Sequence, residues 1–181
     1  MALSTDQKLD TKEEYQMRSV TKLSLAVAAL VLTSTAVQAQ TNNASVTATA
    51  TVQTPINVLG AQQLSFGNVF PGVNKTVPAT DLANAGRFDV TGQASAPVTL
   101  SFGLPATLSD GSNTMPIASF TGIHALVNTQ ALGAAFTPSA GATTSLSAGG
   151  QLFVWIGAQV QPATNQVAGV YTGSIIMTVV Y

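Results

Sequence analysis

The side chains able to do chemistry are few and scattered. His124 stands alone in Thr121-Gly122-Ile123-His124-Ala125. A catalytic histidine needs a partner acid and a reacting group within hydrogen-bond reach, and no carboxylate precedes it more closely than Asp110. It reads as an ordinary strand or surface residue. Asp110-Gly111-Ser112-Asn113 has the opening of a calcium loop without the later carboxylates that Ca²⁺ requires, so it reads as a turn. Arg87 and Asp89 share one face of a strand by period two and make a surface ion pair, with Asp81 upstream. Trp155 lies in an alternating run, where an aromatic either packs or offers its face to a sugar. There is no Cys, which removes thiolate zinc sites. No glycine-rich loop follows a strand and opens a helix, so no nucleotide site is indicated. No catalysis, metal or cofactor is expected.

The charge distribution points the same way. The 181 residues carry six Lys+Arg and seven Asp+Glu, 7% charged, where about 25% is usual. Most of these charges precede Gln40. Beyond residue 39 the only charged side chains are Lys75, Asp81, Arg87, Asp89 and Asp110. Such a chain has no basic patch for phosphates, so no nucleic-acid partner is expected. Its hydrophobic fraction of 46% is too high for charge-driven disorder, and it is long enough for one domain with a real core.

Residues 1–39 read as a leader. Arg18 and Lys22 precede an apolar stretch from Leu23 to Leu32, and Val37-Gln38-Ala39 offers small residues for cleavage after Ala39. The apolar run is too short to cross about 30 Å of hydrocarbon. Met17 is an alternative start. An exported protein is expected, passing through the periplasm to the cell surface or the medium, and folding without disulfides.

The remainder alternates with period two. Val98, Leu100 and Phe102 share a face; Leu152, Val154, Ile156 and Ala158 alternate with Phe153, Trp155 and Gly157; Tyr171, Gly173, Ile175, Met177, Val179 and Tyr181 line up at the end. Turn signals such as Pro71-Gly72, Asn84-Ala85-Gly86 and Gly149-Gly150 separate the runs. Roughly eight to ten short strands in a sandwich or barrel are expected, with a short helical turn near residues 130–135. Residues 118–148 read as shorter strands and a long connection.

The two ends are the most informative parts. Residues 40–54 precede a sandwich domain at 55–181. Within them, residues 44–54 alternate small apolar and polar side chains and stop at Pro55, a residue that cannot donate to a ladder. Extended, eleven residues span about 36 Å. The last strand ends in Thr178-Val179-Val180-Tyr181, and an apolar edge strand needs cover. The N-terminal segment is either the first strand of its own sandwich or a strand given to a neighbour's edge. Ladder bonds worth about 1 kcal/mol each are opposed by roughly 1–2 kcal/mol of ordering per residue. Strand donation is therefore favourable only if it covers an apolar groove, for which Val98, Leu100, Ile175, Met177 and Val179 are candidate walls.

Leu64-Ser65-Phe66-Gly67, Phe88-Asp89-Val90-Thr91-Gly92, Val98-Thr99-Leu100, Gly149-Gly150-Gln151-Leu152 and Ala168-Gly169-Val170-Tyr171-Thr172-Gly173, running into Met177 to Tyr181, occur in this order. Together they resemble a bacterial secreted family of unknown function that is similar to spore coat protein U and the archaic chaperone–usher pilins. The resemblance covers about residues 44–181. It implies an all-β, immunoglobulin-like, pilin-like sandwich, incomplete until a donor strand is added. Val46, Ala48, Ala50 and Val52 would be donor residues, and Ile175, Met177, Val179 and Tyr181 would line the acceptor edge. Implied partners are further copies or related subunits, a periplasmic chaperone and an outer-membrane usher. Those pilins carry a cysteine pair near the N-terminal strand; this chain has none. The expected function is a non-catalytic subunit of a fibre or coat. A second reading is a monomeric secreted binding module that takes carbohydrate on Trp155 and nearby loops.

Overall fold

A computed structural model describes residues 42–181. The leader, its cleavage site and Met17 lie outside the described residues. The chain divides into two units, residues 1–49 and 50–181. Of the first, residues 42–49 are exposed and carry no strand.

The second unit is an all-β sandwich. Among the described residues there are ten strands and two short 3-10 turns. The strands are β1 (Asn57–Gln62), β2 (Lys75–Val77), β3 (Gly86–Thr91), β4 (Pro97–Gly103), β5 (Thr107–Ser109), β6 (Thr114–Ala125), β7 (Ala134–Phe136), β8 (Ala142–Ser145), β9 (Gln151–Val160) and β10 (Ile176–Val180). All pairings are antiparallel. The larger sheet runs β1-β3-β9-β6-β5, with β2 also on β9 and β7 also on β6; the smaller sheet runs β10-β4-β8.

The alternation places the core. Val98 and Leu100 of β4, Leu152, Val154 and Ile156 of β9, Val90 of β3 and Met177 of β10 pack between the sheets, with Leu146 beside them. Period two sends Thr99, Ser101, Thr178 and Val180 outward, as expected of strands with one solvated face. Strand β9 departs from this pattern, because both of its faces are buried from Val154 to Ala158. The outward side of Trp155 is covered by Ala79, Ala85, Ile123 and Ala125. Gly157 allows that cover. A Cβ there would sit 2.3 Å from the backbone nitrogen of Ala79 and 2.4 Å from the Val77 carbonyl, so only glycine lets the chain cross so closely.

Two expectations change. Residues 44–54 form no strand; the first strand starts beyond Pro55, at Asn57. Residues 118–148 begin inside β6, whose twelve residues make it the longest strand. Strand β6 kinks at a register shift between Ala118 and Thr121, with Ser119 at φ +50°, and this breaks the period-two pattern that would have marked it. The helical turn near residue 130 is present as the 3-10 turn Gln130–Leu132.

Candidate functional site

The polar side chains singled out in the sequence make the following contacts. The Asp110 carboxylate accepts from the backbone N–H groups of Ser112 (2.9 Å) and Asn113 (2.6 Å) and from the Asn113 side chain (3.0 Å). It is the acceptor of a turn, and these bonds, led by the Asn113 side chain, hold its pKa below the usual 3.8. Asp81 repeats the arrangement with Ala83 and Asn84. Arg87 meets Asp89 at 2.9 Å through Nε and at 3.2 Å through a terminal nitrogen. His124 has its ring centroid 5.7 Å from that of Phe136. Among the described residues no three of His, Asp, Glu or Cys gather into a metal-holding group.

Trp155 is 3% exposed. It stacks on Phe153 at 6.3 Å, and Gln130, whose Nε2 donates to the Ala79 carbonyl (2.9 Å), ties down the cover over it. Of the two readings of this residue, packing or a sugar platform, its burial supports packing. Sequence alternation alone could not separate the two, because the cover comes from residues 78–85 and 123–130, distant in the chain.

Two cavities lie among the described residues, one of about 540 Å³ beside β4 and residues 138–143 and a groove of about 1020 Å³; the groove is the larger. One wall is residues 60–71 and the other residues 166–175. Its floor is the inner face of the larger sheet: Gly86 and Phe88 of β3, Ile156 and Val160 of β9, and Met115 and Ile117 of β6. Among the described residues no charged side chain lines it. Each wall rises from the free edge of a sheet. Strand β1 pairs only with β3, and β10 only with β4, among the described residues. The second wall is tied to β5, where the Ser109 and Thr172 N–H groups donate to each other's carbonyls at 2.9 and 2.8 Å.

Just past the first wall the Gly72 N–H donates to the carbonyls of Pro162 (3.2 Å) and Ala163 (3.0 Å). Outside the groove lining, the Tyr181 hydroxyl accepts from the Gln93 N–H (2.8 Å) and donates to the Thr54 carbonyl. The first wall alternates inward through Leu64, Phe66 and Val69, which pack with Met115, Ile117 and Val160. Around the mouth, Phe70 (68%), Val167 (53%) and Val170 (82%) are exposed.

The anticipated acceptor residues separate. Ile175 lines the groove. Met177 is buried and Val179 partly buried in the closed part of the core, and Tyr181 stands at the end with 44% exposure. Val98 and Leu100, taken above as possible walls, are sealed in the closed core at 2% and 1% exposure and do not touch the groove. The floor was missed because it is assembled from β3, β6 and β9, whose inward residues look in sequence like any others. The anticipated donor residues are exposed: Val46 and Val52 at 94% each, and Ala48 and Ala50 as well.

No curated protein matches the chain. Residues 67–181, running from the first wall of the groove through β10, match the family model described as Domain of unknown function (DUF4402), and the chain belongs to that family.

Proposed function

We propose that this protein is an exported, non-catalytic structural subunit that assembles into a surface fibre or coat by strand addition. The observation that carries the reading is the uncharged apolar groove opening the core between two unpaired strand edges. A β-strand fits such a gap because it satisfies both edges with backbone hydrogen bonds and covers the floor with alternate side chains. The segment 44–54 has the composition for it. It is uncharged, alternates Ala and Val with Thr and Ser, and leaves every side chain exposed.

Donation from one copy to the groove of the next is a heterologous contact, which extends into a filament when the rotation does not close. The proposed kinship with spore coat protein U and the archaic pilins rests on the order of sequence motifs between Leu64 and Tyr181. A periplasmic chaperone would then fill the groove with a temporary strand before an usher exchanges it for the arm of another copy.

The test places charge on the apolar side of the arm. Val46→Asp together with Val52→Asp abolishes oligomers seen by light scattering, because a carboxylate in an apolar groove costs several kcal/mol. It leaves the denaturation midpoint of the monomer unchanged, because both positions are exposed. Oligomers that persist in this variant refute strand addition.

A further inference from the structure

An arm that can enter the groove of another copy can in principle enter its own. Intramolecular insertion has a large advantage, since a short link gives an effective concentration of order mM, far above the concentration of free subunits. Some feature must oppose it if subunits are to polymerise. The root of the arm supplies one. The Thr54 N–H and Oγ1 both donate to Gln93 Oε1, at 3.2 and 3.1 Å, and the Thr54 carbonyl accepts from the Tyr181 hydroxyl. Tyr181 is itself held by the Gln93 N–H at 2.8 Å. Gly92 makes room for it, as a Cβ there would lie 2.7 Å from the tyrosine oxygen.

We infer that Gln93 and Tyr181 form a clamp on the root of the arm that bars it from its own groove and reserves that groove for a second copy of this chain. The inference rests on the strand-addition reading above. To enter its own groove, the arm must turn back on β1 through Pro55 and Ile56. The shortest such hairpin exchanges the backbone bonds of Thr54 with those of Asn57. Both backbone groups of Thr54 are already committed to the clamp. Pro55 adds a second bar. Two-residue hairpins need positive φ at their first central residue, and proline is locked near −65°. That hairpin would also set Val52 opposite Leu59, which points away from the floor. A loop longer by one residue turns Val52 toward Gly60 on the floor side, but it sets Thr54 opposite Val58 and still draws on the Thr54 backbone groups that the clamp holds.

The test compares the full chain with Tyr181→Phe, which keeps the ring in the Gly92 recess and removes one oxygen, and with Gln93→Ala, which frees the Thr54 N–H. Oligomer mass is read by light scattering, and hydrogen exchange reads protection of residues 44–54. The expected result is oligomers with protected arms for the wild type, and for each variant a ratio of monomer to oligomer raised about fivefold or more, the change one lost hydrogen bond brings, with the arm protected in the monomer. Variants that oligomerise like the wild type overturn the clamp and leave strand addition standing. Variant monomers with unprotected arms also overturn it, since the released arm would then not reach its own groove. A wild type that stays monomeric with an unprotected arm overturns strand addition and the clamp together.

Discussion

His124 shows what a single titratable group does in a chain this poor in charge. It pairs across from Val154 in the β6–β9 ladder and faces Phe136. Partial burial lowers its pKa from the usual 6.5, because taking the imidazolium out of water costs free energy that no neighbouring carboxylate returns. The folded state therefore binds the proton less readily than the unfolded chain. The stability this group supports is complete above pH 6.5, the unfolded value, and is lost as pH falls through the lower folded value. Urea midpoints measured from pH 7.5 downward will fall below pH 6.5 in the wild type and stay level there in His124→Gln. A flat wild-type profile above the carboxylate range would show that the imidazole is no better solvated unfolded than folded. Asp81 and Asp110 act in a separate, lower window. Their folded values lie below 3.8, so their contribution is complete above that pH and vanishes only in stronger acid.

At the scale of the strand, position parity decides the outcome of substitution. Met177 and Ile176 are neighbours in β10, yet Met177 is 8% exposed and Ile176 63%. Met177→Ala will cost about 2–5 kcal/mol in denaturant unfolding, whereas Ile176→Ala will stay within about 0.5 kcal/mol. Equal losses would mean that β10 has slipped by one residue, since such a slip exchanges the two faces. Gly157→Ala will cost about 1–3 kcal/mol or more, because its methyl group meets the backbone of Val77–Ala79 rather than a flexible side chain. This parity was legible in the sequence, and the inner faces of β4, β9 and β10 follow from alternation alone. Three other matters were not. A strand is defined by its partner, so the alternation of residues 44–54 could not reveal that they lack one. The cover over Trp155 depends on a crossing at Gly157 that no periodicity marks. The groove floor joins Phe88, Met115 and Ile156, residues brought together only by the order β3-β9-β6.

Among the described residues no charged side chain lines the groove. Lys75, Asp81, Arg87, Asp89 and Asp110 are all absent from the lining of the groove, and the arm has no charge either. Two charges border the groove: the Lys75 ammonium donates to the carbonyl of Asn68 on the first wall (3.1 Å), and the Asp110 carboxylate lies against Gly169 on the second, where a Cβ would meet its Oδ2 at 2.9 Å. An assembly built from these two surfaces draws on apolar burial and backbone pairing, which scale with area and bond count. Screening has little to act on. Oligomers will therefore keep their mass as sodium chloride is raised from roughly 0.05 to 1 M, a range over which the Debye length shrinks to about 3 Å and exposed ion pairs lose their attraction. Guanidinium chloride, which solvates apolar and peptide groups, will dissociate them where an equal ionic strength of sodium chloride does not. Dissociation by salt alone would place the contact at the few charged side chains instead of the groove, and a different face of the sandwich would then have to carry assembly.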